Sequence, residues 1–67
     1  MFPFGEEFKR LFAKIPTVLT YFDYVRLCNE IDDARTSYDI AATDEKLLLE
    51  CLEKYAEARK IPTSYEI

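Results

Sequence analysis

Thirteen carboxylates, two thiols, five phenols and nine lysine or arginine cations are the reactive groups this chain offers. Histidine and tryptophan are absent, and the one glycine is Gly5. The commonest general base, the commonest zinc ligand and any glycine-rich phosphate loop are therefore missing. The densest acidic group is Glu30, Asp32, Asp33 and Asp39. Such carboxylates can bind a cation, but an EF-hand alternates its oxygen ligands around a central glycine, and none is present. They can also serve as general acid and base, which requires desolvation in a cleft that so small a chain hardly encloses. The expectation is a solvated helix end, with no metal, no cofactor and no enzymatic activity.

Cys28 and Cys51 lack the C-x-x-C spacing of a redox or metal site. No cation or histidine is placed to activate either, so both are expected as reduced thiols acting as small apolar groups, although a Cys28–Cys51 bridge stays open. Lys9, Arg10 and Lys14 could touch phosphate, but Glu6 and Glu7 beside them leave a weak patch. Tyr21, Tyr24, Tyr38, Tyr55 and Tyr65 supply amphipathic area of the kind protein interfaces use.

Charge is unevenly spread along a chain of net charge −4. Residues 17–45 carry Asp23, Glu30, Asp32, Asp33, Asp39, Asp44 and Glu45 against Arg26 and Arg35, a local balance of −5. That excess repels nucleic acid and favours a partner with a basic face. Met1 to Gly5 has no basic leader, and Leu47-Leu48-Leu49 is as long as any apolar run becomes. A cytoplasmic protein with no membrane span is expected.

Three helices and no strands would position these groups, in one domain spanning residues 1–67. Pro3, Pro16 and Pro62 mark segment edges. The first helix is expected over 6–14, where Gly5 can cap and Phe8, Leu11, Phe12 and Ile15 form one stripe. The second is expected over 17–35, with an apolar arc running from Val18, Tyr21, Phe22, Val25 and Cys28 through Tyr24, Leu27 and Ile31. Asp23, Arg26, Glu30 and Asp33 form its polar strip. The third is expected over 44–60, with Thr43 as cap and Leu47, Leu48, Cys51, Leu52, Tyr55, Ala56 and Ala58 inward. A tail, 61–67, is irregular, with Ile61 or Tyr65 able to dock.

The seven-residue loop Thr36–Ala42 favours an antiparallel hairpin of the two long helices. Residues whose numbers sum to 79 should then sit level: Leu27 with Leu52, Ile31 with Leu48, Cys28 with Cys51, Tyr24 with Tyr55. Connection through Pro16 should leave the short helix beside Tyr21 and Tyr24. The loop-proximal half of the hairpin would stay uncovered, exposing Leu27, Ile31, Leu48, Leu49 and Leu52, rimmed by Asp23, Glu30, Asp32 and Asp33. A surface of that kind binds protein, either a foreign partner or a second copy in a homodimer. The expected class is a small non-enzymatic protein, an inhibitor, adaptor or regulatory subunit, in the style of a phage or mobile-element accessory protein. Two alternatives are an acidic mimic of nucleic acid, with Asp23, Glu30 and Asp33 as phosphate surrogates, and a structural oligomer subunit.

Overall fold

A computed structural model describes residues 5–63. Three α-helices, and among these residues no strand, run in the order α1 (Glu6–Lys14), α2 (Tyr21–Thr36) and α3 (Ala42–Arg59), with a single 3-10 turn at Ile15–Thr17 between the first two. α1 has the bounds its stripe implies, with Gly5 at the cap position, Glu6 and Glu7 at its positive end and Lys14 in its last turn.

α2 starts four residues later than its periodicity suggests. Thr20 and Asp23 close a capping box: the Thr20 hydroxyl accepts from the Asp23 amide at 3.2 Å, and the Asp23 carboxylate accepts from the Leu19 and Thr20 amides at 3.1 and 3.3 Å. This box, with Pro16 in the 3-10 turn, outcompetes a helical pattern that runs back to Thr17. Val18 is consequently extended rather than helical, and its side chain tucks into the core. α3 starts two residues earlier than expected. Ala41, not Thr43, is the cap residue, and Asp44 takes the Ala41 amide at 3.3 Å.

Both long helices stop in the same way. The Asp39 amide donates to the Ala34 carbonyl and the Tyr38 amide to Arg35; at the other end, Ile61 donates to Ala56 and Lys60 to Glu57. These are paired Schellman bonds, and the left-handed residue each requires is Tyr38 (φ 63°) or Lys60 (φ 59°) instead of glycine. Each turn is followed by an apolar anchor: Ile40 is buried, and Ile61 packs partly buried against the core. Tyr65 lies outside the described residues.

α2 packs against α3, and α1 packs on both. The core is Phe8, Leu11, Ile15, Val18, Leu27, Ile31, Ala34, Ile40, Leu48, Leu52 and Ala56, with no polar side chain buried among the described residues. Leu27, Ile31, Leu48 and Leu52 are thus interior, and Leu49 is half-buried against the same core. They do not form the exposed patch expected of them. The reason is the course of α1. The Ile15–Val18 reversal turns the chain back, so that α1 lies along the C-terminal half of α2, with Arg10 and Lys14 both reaching Glu30. The Tyr55 hydroxyl pins the reversal by donating to the Pro16 carbonyl at 3.1 Å. α1 covers the half expected to be open, and the start of α2 is left open instead.

Candidate functional site

The uncovered surface begins with two large apolar side chains on either side of the Thr20 cap. Leu19 is 71% exposed and Phe22 78%. Neither position is accidental. Leu19 donates its amide to Asp23 in the link before the helix, and its side chain stays outside the core that neighbouring Val18 enters. Phe22 stands on the opposite side of α2 from the Leu27–Ile31–Ala34 stripe that faces the core, at 100° per residue. Its ring meets Tyr21 edge-on at 6.3 Å between centroids and is otherwise open.

A groove of about 260 Å³ runs between the 3-10 turn and α2, lined by Lys14, Thr17, Val18, Asp23, Arg26, Leu27 and Glu30 but by neither Leu19 nor Phe22. Buried Val18 and Leu27 form its apolar floor. Charged groups form the walls, and most are already engaged. The Lys14 ammonium sits 2.7 Å from Glu30, and Arg10 reaches the same carboxylate at 3.5 Å. The Lys14 hydrogen bond, with Arg10 assisting, holds the Glu30 carboxyl below the usual carboxylate range. Asp23 is lowered likewise, chiefly by the Leu19 amide and then by Thr20. Arg26 is different. It forms no described hydrogen bond or ion pair, and it acts only as a nearby positive charge favouring ionised Asp23.

The expected acidic rim divides accordingly. Asp23 is a helix cap and Glu30 a salt-bridge hub, whereas Asp32 and Asp33 are exposed. Glu7, Arg10, Glu30, Asp33, Ser37 and Asp39 line a second, shallower depression of about 200 Å³ over the end of α2. There Arg10 binds Glu7 in a two-pronged contact at 2.7 and 2.8 Å, which lowers the Glu7 pKa and raises that of Arg10. Among the described residues, no three acidic or cysteine side chains gather as a metal site. No described helix is long and apolar enough to cross a membrane.

The thiols stand apart. Burial pushes the Cys28 and Tyr24 pKa values up. Glu30, which faces α1, lies 200° round α2 from Cys28. Cys51 lies one turn before Tyr55, whose hydroxyl reaches the segment that follows α1. The two cysteines therefore occupy opposite flanks of the α2–α3 pair, and both are free.

Sequence reasoning missed Leu19, Phe22 and Arg26 as a unit, because a helix begun at Thr17 places Phe22 in its apolar arc and Arg26 in its polar strip and gives Leu19 no role. The Thr20-x-x-Asp23 spacing is the signal that separates them. Comparison with protein families, curated proteins and solved structures yields no match.

Proposed function

We propose that this protein is a non-enzymatic binding module, an inhibitor, adaptor or regulatory subunit, that engages another protein through the Leu19–Phe22 face. One observation carries the reading: two bulky apolar side chains, each more than two-thirds exposed, stand on either side of the Thr20 cap. Neither contributes much to folding, and adjacent exposed groups of this size mark contact surfaces. Beneath the face, we take α2 and α3 to pair antiparallel, with Leu27 level with Leu52 and Ile31 level with Leu48. The rigidity of that pair holds the face in place. A second copy of the chain is the competing occupant, and the Leu27, Ile31, Leu48 and Leu52 side chains, spent in the core, are closed to it.

The test compares the wild type with a Leu19→Glu, Phe22→Glu variant as baits in co-precipitation. Circular dichroism first establishes equal helicity, and sedimentation gives the mass of each. Proteins retained by the wild type and lost by the variant support the reading. Retention of the same set by the wild type and the variant refutes it. A wild-type mass near twice 7.9 kDa that collapses to the monomer in the variant gives the face to a homodimer instead.

A further inference from the structure

The contacts that seat α1 would be the same if they came from the α1 of a second copy. Phe8, Leu11 and Ile15, with Val18 behind them, are buried in the common core. Arg10 and Lys14 pair with Glu30 of α2, and the Tyr55 hydroxyl of α3 donates to the Pro16 carbonyl. Behind these contacts the backbone parts at one junction. The Val18 amide turns back to the Ile15 carbonyl at 3.1 Å, whereas the Leu19 amide turns forward to Asp23 at 3.1 Å. Val18 and Thr20 are both extended, and the Leu19 side chain between them lies outside the core. The Thr20–Asp23 box caps α2 with groups from its own side of the junction, so α2 begins at Tyr21 wherever α1 lies.

We infer that residues 6–18 are an exchangeable arm, hinged at the Val18–Leu19 junction, and that two copies form a dimer in which each α1 seats on the other's α2–α3 pair. Neither half of an opened chain is satisfied alone. α1 has nine residues, too few to hold a helix in water by itself. The α2–α3 pair without it bares Leu27, Ile31, Leu48 and Leu52. These side chains, closed to any other surface of a second copy, are open to its arm. Exchange trades the interior contacts like for like, and a two-fold axis between the hinges makes it reciprocal. Concentration then sets the balance. An arm tethered to its own seat has an effective concentration in the millimolar range, so the closed monomer prevails when dilute and the exchanged dimer grows as the protein approaches that range. This goes beyond the docking face and does not rest on it: exposed Phe22 is outside the core in which the arm is seated, so a dimer carries two such faces.

The experiment refolds two variants from urea at millimolar concentration, together and apart, and weighs the products by native mass spectrometry. One carries Arg10→Glu and Lys14→Glu in the arm, the other Glu30→Lys in the seat. Each is mismatched within its own chain, whereas exchange between the two restores opposite charges at both seats. A mixed dimer near twice 7.9 kDa is expected, about tenfold more abundant than the dimer of either variant alone. Wild type refolded as a mixture of labelled and unlabelled chains should show NOEs from the Leu11 and Ile15 methyls of one copy to core methyls of α2 and α3 in the other. That second measurement does not depend on how well the variants fold. Monomers alone, in the mixture and in the wild type, overturn the inference. So does a dimer with no preference for the mixed pair, or a wild-type dimer without those NOEs. Phe22→Glu in both chains separates exchange from docking: a mixed dimer that survives it supports exchange, and one abolished by it belongs to the docking face and overturns exchange.

Discussion

Replacing Phe22 with aspartate should leave the fold about as stable as it is, although the change removes a phenylalanine from a helix in a small protein. Full burial of such a side chain is worth about 1.5–3 kcal/mol, and Phe22 is 78% exposed, so at most about 0.7 kcal/mol is at stake. Against this, Thr20 is the cap, so residue 22 is the second residue of α2, in the turn where the helix dipole is positive. A carboxylate there contributes about 0.3–1 kcal/mol. The two effects nearly cancel, and the melting temperature should move by less than about 4 °C. Thermal and urea melts followed at 222 nm measure it, with the urea slope reporting whether the same surface is exposed on unfolding. A loss above about 2 kcal/mol, the scale of a core truncation, would refute the reasoning, since it would mean that Phe22 is inside the folded molecule.

Four further outcomes follow from other parts of the structure. Leu52→Asp puts a charge where no buried polar partner exists, and it should cost several kcal/mol, enough to abolish cooperative melting; a melt within a few degrees of wild type would show that Leu52 faces water. Diamide treatment of the folded protein should yield no intramolecular bridge, because Cys28 and Cys51 sit on opposite flanks, and a monomer two mass units lighter would contradict that placement. Glu7, Asp23 and Glu30 have folded pKa values below their ordinary ones, so their contribution is complete above about pH 4.5 and is lost as pH falls through the lowered values. Urea midpoints should therefore be level from neutrality to about pH 5 and drop below it, and Glu30→Gln should make that drop shallower; an unchanged acid limb would refute the role of Glu30. Tyr38→Gly should stabilise by about 0.5–1 kcal/mol, because glycine removes the cost of the left-handed position and Tyr38, 88% exposed, gives up no packing; Tyr38→Ala should change little, and a destabilised glycine variant would reveal a contact made by the ring.

The helices themselves were legible in the chain because their periodicity is strong. Phe8, Leu11 and Ile15 recur at helical spacing and are buried, as are Leu27 with Ile31 and Leu48 with Leu52. The placement of α1 was not legible. Thr17-Val18-Leu19-Thr20 fits a helical pattern as well as its neighbours do, and apolar spacing alone cannot tell a residue on the inward face from one on the open face. Hydrophobicity counted around the second helix gave one broad arc, whereas the folded chain splits it: Leu27, Ile31 and Ala34 go inward, Phe22 outward. Net charge also says nothing of how each anion is used: Asp23 accepts from two amides and Glu30 from two cations.

The Thr20–Asp23 box has a geometric consequence beyond the stability of one helix end. Were α2 to continue backward to Thr17, four residues would be wound onto its axis, moving the point of chain entry about 6 Å along it and 40° around it. The extended link at Val18 would vanish with them. α1 would then leave from a different azimuth, its Phe8 and Leu11 directed away from the C-terminal half of α2. One carboxylate and one hydroxyl thus act as an angular stop, and the choice of which half of α2 is roofed and which is left to meet another molecule is made at that stop.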